Sequence, residues 1–251
     1  IGLSDALEIV RAGEATAPEY RFYQTGIPVA GEAEDNLVVK ALRLMAGKRT
    51  LPPIDIHLLK KIPSGAGLGG GSSDAASMLR LLNDTFLLRF TEGELAWMAA
   101  SLGADCAFFM HNRPALASGI GDQLEPVVLD LSGYFILLVK PEIAIATKEA
   151  FAMITPKVPE RSLREIVKKP VPEWKGLMKN DFEPPIFKKY PEICRVKEQL
   201  YGMGAVYASM SGSGSSVYGL FDEEPEWQQT FSGYFTWTNK PSNKPTRNLK
   251  E

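Results

Sequence analysis

The stretch "KKIPSGAGLGGGSSDAA", residues 60–76, places glycine at 65, 67, 69, 70 and 71 beside Ser72, Ser73 and Asp74. Such residues contribute little to an apolar core but let bare backbone approach an anion closely. A helix N-terminus presents unpaired N–H groups and the positive end of its dipole, so glycines ahead of it allow the chain to close around an oxyanion. Phosphate is the ligand this arrangement suits. The spacing is not that of the G-x-x-x-x-G-K-[ST] loop, because no lysine follows the last glycine, and the G-x-G-x-x-G dinucleotide fingerprint fits poorly. One of Ser72 and Ser73 is expected as a helix N-cap, and both hydroxyls could also meet phosphate or Mg²⁺. The bland alternative, a flexible Gly/Ser linker, is disfavoured by the strand and helix that flank it.

Those flanks are readable from periodicity. In "IDIHLLK", Ile54, Ile56 and Leu58 alternate with Asp55 and His57, the pattern of a half-buried strand. After the glycines, Ala75, Met78, Leu79 and Leu82 fall at i, i+3, i+4 and i+7, a helical face. "DNLVVKALRLMAG" predicts another helix, with Asp35 or Asn36 as N-cap and Gly47 as stop. "TEGELAWMAASLG" predicts a third, opened by a Thr91–Glu94 capping box and closed at Gly103, immediately before Asp105. Beyond about residue 130 the pattern changes to a strand over 134–139, a helix-like "TKEAFAMI", a proline-rich middle, a helix near 190–202 and two short strands around "SGSG". The composition shift divides the chain into 1–131 and 132–251, with a polar Pro/Asn-rich tail from about 239 expected to be disordered.

The 251 residues are 45% hydrophobic and 23% charged, with a formal net charge of −2, enough for one large core or two modest ones. Lys and Arg are interspersed with Asp and Glu, so no basic face exists to track a nucleic-acid backbone. Nucleic acid is excluded as the expected partner. The apolar runs are too short to cross a membrane, and no secretory signal opens the chain, which predicts a soluble cytoplasmic protein. Cys106 and Cys194 stand far apart, fit neither a disulfide framework nor a metal site, and are read as buried thiols in a reducing compartment. His57 lies on the polar side of its strand and His111 follows an apolar run, so neither is assigned a metal or catalytic role.

"PSGAGLGGGSSDAA", residues 63–76, resembles the second motif of the GHMP kinases. The triple glycine followed by Ser-Ser-Asp-Ala-Ala is most similar to the form found in 4-diphosphocytidyl-2-C-methyl-D-erythritol kinases. The resemblance continues through "LGADCAFFM", "GIGDQLEPV", "IATKEAF" and "MSGSGSSVYGLF", in the family's order and over nearly the whole chain up to the tail. It implies an α+β, two-domain GHMP kinase fold: a ribosomal-protein-S5-like nucleotide domain and a ferredoxin-like C-terminal domain, with the active site in the cleft between them. The implied activity is ATP-dependent phosphorylation of the 2-hydroxyl of 4-diphosphocytidyl-2-C-methyl-D-erythritol, a step of the non-mevalonate isoprenoid pathway, with Mg²⁺ beside the phosphates. The alternatives are another small-alcohol kinase of this superfamily or, if the chain is naturally shortened, an inactive nucleotide-binding remnant.

By the resemblance, Pro63, Ser64, Gly65, Ala66, Gly67, Leu68, Gly69, Gly70, Gly71, Ser72 and Ser73 wrap the ATP phosphates, while Asn36 and Lys60 or Lys61 lie near the adenosine. Asp105 matches the family's catalytic aspartate, which takes the proton of the attacking hydroxyl or orients it. Its local alternative is a cap on the segment beginning at Cys106. Phe151 falls where the family places an aromatic ring against cytosine, with Thr147 in the same motif; the alternative is packing with Ala150 and Ile154. Gly212 and Ser213 belong to the third motif, close to the phosphate site, and also read as a turn between strands. No residue is assigned to the metal. The partner implied is the cytidine-diphosphate-linked methylerythritol substrate, and the expected assembly is a monomer or weak homodimer. The family's Ala-Lys-Ile-Asn strand and Gly-Tyr-His segment lie upstream of Ile1, so residue 1 is expected not to be the natural N-terminus, and the family's catalytic lysine has no counterpart here.

Overall fold

The central strand of the N-terminal unit follows directly from its alternation. In the computed structural model, which describes residues 1–13 and 19–239, Ile54, Ile56 and Leu58 are buried while His57 is exposed and Asp55 only partly covered. The unit comprises Leu3–Ser64 and Gly69–Val127. Its elements are β1 (Ala6–Arg11), β2 (Tyr20–Gly26), α1 (Leu37–Ala46), β3 (Ile54–Lys60), α2 (Gly70–Thr85), α3 (Glu92–Leu102), α4 (Ala104–His111), β4 (Ala115–Ser118) and β5 (Gln123–Pro126). The main sheet has the order β1-β3-β2, with β3 antiparallel to β1 and parallel to β2. Ile56 sits opposite Ile9 on one side and Phe22 on the other.

One face of β3 packs into a core with Leu42 and Met45 of α1, Met78, Leu79 and Leu82 of α2, and Met98 of α3. On the other face Asp55 accepts two bonds from Arg21, at 2.6 and 2.8 Å, and His57 stacks on Tyr23 at 4.8 Å between centroids. Both histidine and aspartate are thus accounted for locally. Asn36 caps α1 by accepting from the Val38 N–H, and Gly47 ends it. The Thr91–Glu94 capping box is present at α3, and Gly103 closes that helix and opens α4.

The second unit comprises Ile1–Gly2, Gly65–Leu68 and the chain from Val128 onward. Its elements are β6 (Phe135–Lys140), α5 (Thr147–Ala152), α6 (Leu163–Ile166), α7 (Glu183–Lys189), α8 (Pro191–Gly202), β7 (Tyr207–Met210), β8 (Val217–Phe221) and β9 (Phe235–Thr238). The sheet order β7-β8-β6-β9, with each neighbouring pair antiparallel, reads second-third-first-fourth along the chain. That is the ferredoxin-like arrangement, although no helix separates β8 from β9. Ile193, Val196 and Leu200 of α8 bury with Leu137, Val139 and Val217 of the sheet. The protein is an α+β chain; of its glycine-rich stretch, residues 65–68 cluster with the C-terminal unit and residues from Gly69 onward with the N-terminal one.

Cys106 is buried as expected, but Cys194 is only partly so, because it sits between the buried positions Ile193 and Val196 of α8 and faces Glu198 one turn on. No described helix is long and apolar enough to cross a membrane. Of the polar tail, only Asn239 falls within the described residues; its amide donates to the Tyr134 carbonyl.

Candidate active site

In the N-terminal unit the glycines set where α2 begins. Gly69 has φ of 66°, a left-handed conformation that glycine adopts without strain, and it stands as the N-cap of α2. This corrects the expectation of a serine cap. Ser72 and Ser73 lie inside the first turn, and no side-chain cap bond forms at this end. The Ser73 N–H already donates to the Gly69 carbonyl at 2.9 Å, so the orphan donors are those of Gly70, Gly71 and Ser72. Three consecutive N–H groups at the positive end of a 16-residue helix form a site for an anion of phosphate type.

Small residues are required here by the neighbours as well as by the ligand. A Cβ on Gly69 would lie 2.6 Å from Phe109 Cε2, and one on Gly70 would lie 2.9 Å from Ile62 Cγ2. Gly71, at 3.8 Å from Leu37 Cδ1, has space. Gly69→Ala is therefore expected to lose about 1–2 kcal/mol from its backbone conformation alone, with further loss from the Phe109 ring; thermal melting would show it. Phe109 carries no chemistry, and its role at the loop gave no signal in the sequence beyond its place in an apolar run.

The same contacts bring α4 to the mouth of α2. Phe109 abuts Gly69, and the Cys106 thiol of the same helix is pushed up by burial, against a smaller lowering by the Ser72 side chain. Asp105 precedes Cys106 in the first turn of α4 and is exposed. It is not the cap of that helix: α4 starts at Ala104 behind Gly103, whose carbonyl takes the Cys106 N–H at 3.0 Å. An exposed carboxylate thus stands at a helix start beside a triple N–H anion site.

Lys60, the end of β3 leading into the loop, is buried. Its side chain is 4% exposed, and Nζ donates to Asp5 Oδ2 and, at 2.7 Å, to Asp74 Oδ2. It serves as the cation of a buried cluster under Gly70. Asp5 also accepts from the Lys61 and Ile62 N–H groups, at 2.5 and 2.8 Å, and so holds the entrance of the loop. Burial raises the Asp5 carboxyl, but the Lys60 ammonium and these two amides outweigh it and leave it below its ordinary value. Burial dominates at Asp74, which is pushed up to about 6 despite Lys60. Asn36 spends its Oδ1 on the Val38 N–H, while the start of its helix reaches Gly71 through Leu37.

In the C-terminal unit residues 65–68 meet the "SGSGSS" turn. Ser211 Oγ donates to the Gly67 carbonyl at 2.8 Å, and the Ser216 N–H donates to the Ala66 carbonyl at 3.2 Å. No room exists for side chains between them: a Cβ on Gly67 would lie 1.9 Å from the Ser211 carbonyl oxygen, and one on Gly214 would lie 2.0 Å from Gly67 N. The turn closes with Gly214 N–H on the Ser211 carbonyl, and Gly212 takes a φ of 53°. Phe151 is 59% exposed on α5, which buries Ala150 instead, and the ring meets Phe182 edge-on at 5.0 Å. Thr147, the first residue of that helix, is exposed. Ile154 lies beyond the helix end at Ala152.

Two family models match the chain. The GHMP kinases N terminal domain matches residues 36–113, and the GHMP kinases C terminal domain matches residues 162–229. A 4-diphosphocytidyl-2-C-methyl-D-erythritol kinase of Bacteroides thetaiotaomicron is 53% identical over 230 residues, covering 92% of this chain and 84% of its own. One from Parabacteroides distasonis is 51% identical, covering 96% and 88%. The chain belongs to the 4-diphosphocytidyl-2-C-methyl-D-erythritol kinase family of GHMP kinases. A solved 4-(cytidine 5'-diphospho)-2C-methyl-D-erythritol kinase superposes with a TM-score of 0.72 at 28% identity, covering 94% of this chain and 86% of that one. The Methanococcus jannaschii mevalonate kinase, at 14% identity and a TM-score of 0.69, shares the GHMP fold.

Proposed function

We propose that this kinase transfers the γ-phosphoryl group of ATP to the 2-hydroxyl of 4-diphosphocytidyl-2-C-methyl-D-erythritol. The observation that carries the reading is the exposed Asp105 carboxylate on a helix start that packs, through Phe109 and Cys106, against the three orphan N–H groups of α2. A phosphate acceptor site beside a proton acceptor is what alcohol phosphorylation needs. The hydroxyl oxygen forms a bond to the γ-phosphorus, the bond from that phosphorus to the leaving ADP oxygen breaks, and the hydroxyl proton passes to Asp105. Little covalent work falls to the protein, so positioning and charge neutralisation dominate.

Among the described residues no cluster of three acidic, histidine or cysteine side chains exists to cage a metal. Mg²⁺ arriving with ATP is commonly held by substrate phosphates, water and only one or two protein groups. The Ser72 hydroxyl, in the first turn of α2, is the candidate here. The ion would neutralise charge on the transferred group. The reaction is placed in the cytoplasm, where thiols such as Cys106 and Cys194 persist unpaired.

Phe151 serves the cytosine. Its ring is exposed at one face and braced at its edge by Phe182, so a base can stack on it. Phe151→Ala is expected to raise KM for the cytidine substrate by roughly 1–3 kcal/mol, about five-fold to a hundred-fold, with KM for ATP unchanged; steady-state kinetics with each substrate varied separately checks it. The activity itself is tested by phosphorus NMR of the full-length protein with ATP, Mg²⁺ and the cytidine substrate. Appearance of the 2-phosphate supports the reading, and ATP binding without any 2-phosphate would count against it.

A further inference from the structure

We propose that Asn180 is a positioning residue for ATP, acting through the peptide planes of the Ser211–Gly214 turn; this rests on the kinase reading above. Asn180 lies outside every motif that pointed to the function, and its side chain faces the turn from a segment 30 residues earlier. Its Nδ2 donates to two carbonyls at once, Met210 at 2.9 Å and Gly212 at 2.8 Å. Its Oδ1 accepts from the Phe182 N–H at 2.9 Å, which fixes which end of the amide faces the turn.

The consequence follows from peptide geometry. No cis peptide is present in the described chain, so every C=O points opposite to the N–H of the next residue. Holding the Gly212 carbonyl on Asn180 turns the Ser213 N–H to the far side of the turn. That N–H has no partner among the described residues. The same logic operates in the facing glycine segment, where Ser211 Oγ holds the Gly67 carbonyl and Ser216 N–H holds that of Ala66. Those bonds turn the Leu68 N–H away from Ser211 and the Gly67 N–H away from Ser216, while the Ala66–Gly67 peptide packs against Gly214. Carbonyls, which repel phosphate, are thereby drawn into the protein, and N–H groups, which bind it, are left facing away.

Glu183 braces the arrangement from behind. Its Oε1 accepts from the Met210 N–H at 2.8 Å and its Oε2 from Lys197 Nζ at 2.6 Å. Asn180 differs from Glu183 in touching the turn itself at Gly212. The amide therefore sets the direction of a donor, whereas the Glu183–Lys197 pair secures the strand that leads to it.

The test compares ATP affinity, by calorimetric titration with a non-hydrolysable ATP analogue, and thermal melting in four proteins. Asn180→Ser keeps an oxygen for the Phe182 N–H but cannot reach the two carbonyls, while Asn180→Asp places a carboxylate against them. Lys197→Met loosens the brace without touching the turn. The expected result is an ATP-analogue affinity at least ten-fold weaker in both Asn180 variants, with Lys197→Met melting earlier but binding as the wild type does. If either folded Asn180 variant binds like the wild type, or if Lys197→Met weakens binding equally, the positioning role is overturned. A wild-type chain that binds no analogue would overturn the kinase reading together with this one.

Discussion

Asp105→Asn is expected to lower kcat by about 10²–10⁴ while leaving the fold and ATP affinity intact, because a positioned proton acceptor contributes about that much to such a step. The asparagine keeps the size and hydrogen-bonding shape of the side chain but cannot accept the proton. Asp105 is exposed and caps nothing, so its replacement costs no packing. Melting temperature and analogue binding should therefore match the wild type while product formation collapses. A variant retaining kcat within about three-fold would remove Asp105 from the chemistry, since that lies far below the expected contribution of a general base.

The second large effect is on stability. Lys60→Met leaves Asp5 and Asp74, 3% and 8% exposed, facing one another without their shared cation. Removing one partner from a buried ion cluster typically costs about 3–5 kcal/mol, and urea unfolding would report it. The pH dependence separates the two carboxylates. Asp74 titrates near 6 in the folded state against 3.8 when unfolded, so its contribution is fully present below 3.8 and is lost as pH rises through about 6. Asp5, lowered in the fold, contributes above its unfolded value and loses that contribution as pH falls. Asp74→Asn is expected to flatten the stability profile between about pH 4 and 6 and to keep the acid limb that Asp5 produces. A profile unchanged by Asp74→Asn would contradict the raised value.

Most elements were legible because local signals and tertiary packing agree. The alternation of β3, the Asn36 cap, the Thr91–Glu94 box and the Gly103 stop are all realised in the structure. The start of α2 was legible only as a glycine-rich approach, and the cap was misassigned to serine. The reason is physical: a left-handed glycine at position 69 can open a helix where Phe109 leaves no space for a side chain. Lys60 was legible as a basic residue beside a phosphate-type loop, but its two partners lie 55 and 14 residues away, and no local pattern announces such a cluster. Asn180 was likewise silent. "KNDFE" carries the polar residues of a helix entry, and nothing in it shows that the amide reaches a turn 30 residues later.

The division of the glycine loop bears on how the nascent protein acquires its nucleotide grip. Residues 65–68 are fastened by Ser211 and Ser216, and Ser211 is made 144 residues after Gly67. At about 5–20 residues per second the ribosome needs on the order of ten seconds or more to supply that fastening. During this interval Asp5 and Lys60 can already anchor the loop entrance and α2, while the carbonyls of Ala66 and Gly67 remain free to face either way. Until the C-terminal sheet supplies Ser211 and Ser216, residues 65–68 therefore lack the bonds that set their carbonyls, and the loop is fixed only at its α2 end. A stalled or prematurely terminated chain would lack the Ser211 and Ser216 bonds that orient the Ala66 and Gly67 carbonyls.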